Sequence, residues 1–319
     1  MDVLEALLTG PRARGAHVLQ AVMAAPWSIR VQDRAPLTLV GVVAGQARAT
    51  TADGTSVSLA VGDLAVFRGP DTYHLADHPD SPPTVVIHPG NRCETLDGEP
   101  LVETMALGVR TWGNAADGGT RLLIGTYDTE GAVSRRLLDR LPPLILHRPT
   151  ETDRTLAGML VTELAKDDAG QAAVLDRLLD LLLITVLRTW LAGSASTAPS
   201  WCAALTDPVV GRALNLIHHH PSQPWTVSRR AAEAGVSRAA LAGRFTTLVG
   251  EPPISYLTRW RLDLAADLLV DPDLTVEAVG RRVGYDNQFA FSTAFKRARG
   301  VSPTHHRRAL VLTPAESQI

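Results

Sequence analysis

The stretches Leu241-Ala242-Gly243-Arg244-Phe245-Thr246-Thr247-Leu248-Val249-Gly250-Glu251-Pro252-Pro253 and Phe291-Ser292-Thr293-Ala294-Phe295-Lys296-Arg297-Ala298-Arg299-Gly300-Val301-Ser302-Pro303 repeat each other at an offset of 50 residues. Phe245, Gly250 and Pro253 recur as Phe295, Gly300 and Pro303, and the apolar Leu241 recurs as Phe291. Upstream, Thr226-Val227 recurs as Thr275-Val276, 49 residues on. Each copy reads as helix, glycine turn, helix. In the first, Thr226 caps a helix to about Ala234, Gly235 turns the chain, and Ser237 caps a helix over Arg238 to Val249. In the second, Thr275 caps a helix to about Val283, Gly284 turns, and Asp286 or Asn287 caps a helix ending near Arg299. The glycines permit the sharp crossing that lets the second helix of each pair enter a major groove. A duplicated helix-turn-helix predicts a reader of double-stranded DNA.

The segments Pro224-Trp225-Thr226-Val227, Gly235-Val236-Ser237-Arg238, Tyr256-Leu257-Thr258-Arg259-Trp260-Arg261-Leu262, Val283-Gly284-Tyr285 and Phe295 to Pro303 resemble the AraC/XylS family of transcription regulators, over about Asp207 to Arg308. The resemblance implies a domain of seven helices. Its long helix, here about Pro253 to Val270, holds two recognition helices in major grooves about 34 Å apart. Carried over by position, the base-facing residues are Arg238, Ala239, Ala242 and Gly243 in the first unit and Asn287, Gln288, Ser292 and Thr293 in the second. Arg238 can pair bidentately with guanine, and Asn287 or Gln288 with adenine. Lys296, Arg297 and Arg299 are assigned to phosphate. Ala239, Ala242 and Gly243 hydrogen-bond poorly, so the first helix offers methyl contacts or shape. Arg230 stands where the family has an apolar residue, so its guanidinium must reach the surface or a partner.

Charge agrees with this division. The whole chain carries a formal net charge of -2, but Asp207 to Leu310 holds 14 Lys and Arg against 9 Asp and Glu, a net of +5. The remainder, 17 basic and 24 acidic, has a net of -7. A basic block on an acidic body suits a phosphate-facing domain joined to one that binds no nucleic acid. No basic-then-apolar leader opens the chain, and the most apolar run, Leu178 to Leu187, is too short to span a bilayer, so a cytoplasmic protein with no membrane partner is expected. Cys93 and Cys202, the two cysteines, make no disulfide framework.

Before the basic block the periodicity changes twice. Residues 2 to 8 read as a short helix, and about Ala16 to Asp128 reads as strands. Gln46 to Ala52 and Thr55 to Val61 flank Asp53-Gly54, a two-residue hairpin signal, and Met105 to Trp112 and Thr120 to Tyr127 flank a looser turn at Asp117-Gly118-Gly119. Many short strands predict an antiparallel barrel or sandwich. Thr152 to Lys166 and Gln171 to Leu191 read as amphipathic helices. The second presents Val174, Leu175, Leu178, Leu179, Leu182, Leu183, Val186 and Leu187, a face wide enough for the barrel, a twin subunit, or both.

Val61-Gly62-Asp63-Leu64, Gly69 and His74 resemble the second motif of cupin barrels, and Arg121 to Leu146 resembles the cupin-like sensor domains of one AraC-type subgroup. Cupin enzymes bind a metal through a His-x-His pair, a carboxylate and a later histidine. His74 matches the last, but the strands before Gly45 hold no histidine. No metal or cofactor is therefore expected, although His74, His78, His88 and Cys93 are residue types that zinc accepts. His218-His219-His220 reads as a surface helix end. Trp27, His74, His88 and Cys93 are the candidates for an effector pocket, and Cys93 becomes an oxidation sensor if its thiol is exposed and its pKa lowered.

The fold class expected is α+β: an antiparallel cupin-like sensor barrel over 1–150, helices for dimerisation over 151–193, a linker over 194–206, and an all-α domain with two helix-turn-helix units over 207–310, followed by a frayed tail. The function expected is sequence-specific transcription regulation in response to a small-molecule or redox effector. The partners are double-stranded DNA, a second copy, and RNA polymerase if the protein activates. The rival is a metal-dependent cupin enzyme fused to a DNA-binding domain.

Overall fold

The computed structural model describes residues 16–127, 138, 141–193, 203–204, 207–233 and 235–311. The expected helix at 2–8, the bulk of the linker with Cys202, the end of the tail, and the side chain of Arg230 lie outside the described residues. Two compact units divide the chain: one carries the strands and the two helices that follow them, the other carries the C-terminal helices.

Short runs rich in Val, Leu, Ile and Thr make thirteen strands among the described residues: β1 His17–Met23, β2 Ser28–Val31, β3 Leu37–Ala44, β4 Ala47–Thr51, β5 Ser56–Leu59, β6 Leu64–Arg68, β7 Tyr73–Ala76, β8 Val85–His88, β9 Arg92–Glu94, β10 Ala106–Gly108, β11 Thr111–Gly113, β12 Thr120–Tyr127 and β13 Leu144–His147. They form a seven-stranded sheet, β10-β11-β1-β12-β3-β6-β13, and a six-stranded sheet, β5-β4-β7-β2-β8-β9. Alternate residues of both sheets meet in one apolar core. Ala21, Val40, Phe67 and Leu122 come from the first sheet, and Ile29, Ala49, Leu75 and Val85 from the second.

This corrects the expected antiparallel barrel. The strands hydrogen-bond into two sheets rather than one closed ring, and β1–β11 and β2–β8 pair in parallel. Consecutive strands change sheet at the corner β3–β4, where Gly45 has φ +73° and a Cβ would stand 2.7 Å from the Gly119 carbonyl oxygen. The hairpins differ too. β4 and β5 do pair, but of Asp53-Gly54 only Gly54 is left-handed (φ +85°), and the Asp53 carboxylate accepts from Thr51 Oγ1 and the Thr55 amide within the loop. β11 and β12 do not pair, since β1 lies between them.

After β13 come α1 Glu151–Leu164 and α2 Gln171–Gly193. Thr150 and Asp153 form a capping box that starts α1. Gln171 Nε2 donates to the Glu163 and Lys166 carbonyls and so joins the end of α1 to the start of α2. Leu175, Leu179, Leu182, Leu183, Val186 and Leu187 of α2 are buried, whereas Val174 and Leu181 are exposed. At Gly125 of β12 a Cβ would lie 2.4 Å from Leu179 Cδ1, so glycine lets helix and sheet touch. Among the described residues no helix is long and apolar enough to cross a membrane.

The second unit carries α3 Val210–His219, α4 Val227–Glu233, α5 Arg238–Val249, α6 Pro253–Leu268, α7 Val276–Arg282, α8 Gln288–Arg299 and α9 Pro303–Val311. α6 is the spine. Its Tyr256 ring meets Phe245 of α5 edge-on at 5.7 Å, and its Trp260 ring lies 4.0 Å from that of His218. Farther along, Leu262, Ala265, Ala266 and Leu269 join Phe291 and Phe295 of α8 in a second core. His218 is thus buried and bonded to the Tyr256 hydroxyl at 2.8 Å, not at a surface helix end.

Candidate nucleic-acid interface

Each helix pair is built by the same local devices. Ser237 Oγ accepts from the Ala240 amide at 3.1 Å to start α5, and Thr275 Oγ1 accepts from the Ala278 amide at 3.1 Å to start α7. Asn287 caps α8, its Oδ1 accepting from the Ala290 amide at 2.8 Å. Both α5 and α8 end on a left-handed glycine, Gly250 (φ +86°) and Gly300 (φ +77°). The turn glycines are also left-handed, Gly235 at φ +67° and Gly284 at φ +87°. Arg261 of α6 fixes the second turn by donating to the carbonyls of Pro221 (2.6 Å), Gln223 (2.9 Å) and Gly284 (3.2 Å).

A helix turns by about 100° per residue, so the buried Leu241 and Phe245 of α5, and Phe291 and Phe295 of α8, define each outward face. That face centres on Ala239, Gly243 and Thr246 in α5 and on Phe289, Thr293 and Lys296 in α8, all exposed. Arg238 and Gln288 are exposed in the first turns, to one side of these stripes. Ala242 and Ser292 lie on the flank and are half-buried. Phe289 is not among the residues expected to face bases, although its spacing of two from Phe291 and six from Phe295 places it opposite both.

Two expected roles change. Asn287 spends its side-chain oxygen on the helix cap, which removes the bidentate match to adenine that needs oxygen and amide together. Arg299 is half-buried, and its Nη2 stands 2.6 Å from Oδ1 of the buried Asp263 in α6. It is therefore held by a carboxylate rather than presented to phosphate. Lys296 and Arg297 remain on the exposed face. Arg244 binds Asp207, Arg259 binds Glu251, and Arg307 donates to the carbonyls of Leu269 and Leu274, so much of the basic excess is structural.

In the first unit the pocket candidates separate by strand alternation. Trp27 and Cys93 belong to the apolar core. His74 aligns with Arg30 and Thr50, while its neighbour Leu75 aligns with the core residues Ile29 and Ala49, so His74 takes the opposite face of the sheet. Burial and the Arg30 guanidinium lower its pKa. His88 alternates with the core residue Ile87 and is bonded to Gln32 (3.2 Å) and Glu94 (3.3 Å). His78 lies on an exposed turn beside Asp80. Among the described residues His74, His78, His88 and Cys93 form no metal-ligating group, and the residues present do not fit the metal centre of a cupin enzyme. Cys93 is 4% exposed, and burial pushes its thiol up to about 11, opposite to both conditions for an oxidation sensor.

The cupin family profile matches residues 2–192, and a helix-turn-helix domain profile matches residues 230–309. An AraC-like transcription regulator of Streptomyces lividans is 31% identical over 315 residues, covering 97% of this chain and 98% of that protein. The HTH-type transcriptional regulator AlkR of Acinetobacter baylyi is 26% identical over 314 residues, covering 97% of this chain and 99% of that one. Among solved structures, the C-terminal domain of AraT, a response regulator from Geobacillus stearothermophilus, is 37% identical, covers 35% of this chain and 94% of its own, and has a TM-score of 0.33. With a cupin domain over its first three fifths, a helix-turn-helix domain near its end and a 31% identical relative matched over 98% of that protein, this chain belongs to the AraC-like transcription regulators.

Proposed function

We propose that residues 207–310 read DNA through two helix-turn-helix units, with α5 and α8 in successive major grooves about 34 Å apart. The observation that carries this is the repeated build of the two helix pairs: left-handed turn glycines, side-chain caps, and outward faces aligned at an offset of 50 residues. Arg238, Gln288 and Thr293 are the polar candidates for base edges, with Ala239, Ala242, Gly243 and Ser292 lining the approach. Lys296 and Arg297 meet phosphate. The test is selection of duplexes from a random pool by the full chain. Recovery of two conserved blocks about one helical turn apart supports the reading, and one block or none defeats it.

The cupin domain, 1–150, is the sensor of a small molecule in this proposal, joined by the linker at 194–206. The buried Cys93 supports a bound effector over a redox signal. Residues 151–193 join two copies: on α2 the apolar Val174, Leu178 and Leu181 recur at helical spacing on the side away from the sheet. The effector favours one arrangement of the paired DNA-binding domains, and RNA polymerase is the further partner if the outcome is activation. The protein is a regulator rather than an enzyme in this account, which its relatives' names support.

A further inference from the structure

The outward stripe of α8 carries a large apolar side chain where a solvated helix carries a polar one. Phe289 is 82% exposed, the most exposed large apolar residue among those described. Its neighbours on that face are Thr293 and Lys296, and its counterpart in α5, at the same offset of 50, is the small Ala239. Burial of the aromatic face of α8 is already complete through Phe291 and Phe295, so Phe289 contributes nothing to that core. A ring left in water forgoes its transfer free energy until something covers it.

The first turn of a recognition helix is the part that meets base edges. In the major groove the apolar group a base pair presents is the C5 methyl of thymine, and phenylalanine is among the side chains that pack on it. Resting on the DNA-reading function proposed above, we infer that Phe289 is a specificity-determining residue that packs against a thymine methyl in the half-site read by α8. Thr293, one turn on, is exposed on the same face. The two halves of the operator are then read differently: α5 brings Ala239 and Gly243, which admit close approach, and α8 brings a ring that demands thymine.

The experiment uses the full-length protein and a duplex recovered by selection. Thymines of each half-site are replaced one at a time by deoxyuridine, which lacks only the methyl. The wild type should bind about fourfold more weakly at one or two positions of the α8 half-site. Phe289→Ala should bind the thymine duplex at least about fourfold more weakly and bind its deoxyuridine forms equally well. Phe289→Leu should keep part of the discrimination. The salt dependence should stay unchanged, because no phosphate contact is lost. An unchanged melting temperature checks that the variant folds. Wild-type affinity in Phe289→Ala, or a preserved preference for thymine over deoxyuridine, overturns the assignment. A variant that alters only self-association overturns it in favour of a protein contact. If the wild type selects no duplex at all, the DNA-reading function fails and the assignment with it, a result distinct from discrimination that survives Phe289→Ala.

Discussion

Arg299 and Lys296 lie three residues apart on one helix, yet the structure gives them different work. Arg299 neutralises Asp263, a buried carboxylate of α6. Removing the guanidinium takes the 2.6 Å contact from a buried carboxylate, and Arg299→Ala should lower stability by roughly 1–3 kcal/mol. Lys296 is exposed, so Lys296→Ala should melt like the wild type. It should weaken binding to all duplexes alike and reduce the slope of log affinity against log salt by about one. Thermal melts and salt titrations of both variants check the pair. An Arg299→Ala protein of native stability and reduced salt slope would return that residue to the phosphate contacts. A charge count treats all basic residues of a segment alike. Their division into structural and nucleic-acid-facing groups depends on which carboxylates the fold buries beside them.

At the scale of elements, the two turn glycines share a conformation but not an environment. A Cβ on Gly235 meets nothing within 4 Å, whereas on Gly284 it would lie 2.7 Å from Ser222 Cα and 2.8 Å from Arg261 Nη2. Gly235→Ala should therefore cost about 1–2 kcal/mol, the strain of a left-handed alanine. Gly284→Ala should cost more, since it also displaces the Arg261 clamp. Denaturant unfolding of the two variants tests the order, and equal losses would show that the clamp adds nothing. The helices around these glycines were legible in the sequence because capping and glycine chemistry are local: Ser237, Thr275, Gly250 and Gly300 act within four residues of themselves. The sheets were less legible. Val, Leu and Thr mark a strand but not its partner, and nothing near Thr111–Gly113 or Thr120–Tyr127 announces that His17–Met23 lies between them. The same long-range pairing decides which face His74 and Cys93 take. A pocket assembled from residue types therefore came apart, while helical spacing alone was enough to place Leu241, Phe245, Phe291 and Phe295 on the inward faces of α5 and α8.

At the scale of the whole molecule, the joint between the sheets and their two helices holds a buried charge. Asp153 is 1% exposed, and its carboxylate ties three elements together. Oδ2 lies 2.7 Å from His147 Nε2 of β13 and accepts from Thr150 at the start of α1, while Oδ1 accepts from Thr185 Oγ1 of α2 at 2.9 Å. Burial pushes this carboxyl up, but the hydrogen bonds from His147, Thr150 and Thr185 together bring it down to about 2. An acid held below its unfolded value favours the native state in its ionised form. The contribution is complete above the unfolded pKa, near 4, and is lost as pH falls from there toward about 2. Holding the carboxyl that far below its ordinary value is worth about 2 kcal/mol. Asp153→Asn should lose stability of that order at neutral pH and should show a flatter decline between about pH 4 and 2 than the wild type. Urea unfolding of the full chain across that range measures both. Parallel acid limbs in the two proteins would move the acid sensitivity to another carboxylate. If the limb does flatten, the helices proposed to join two copies are anchored to the sheets through a carboxylate that His147, Thr150 and Thr185 together hold in its charged form.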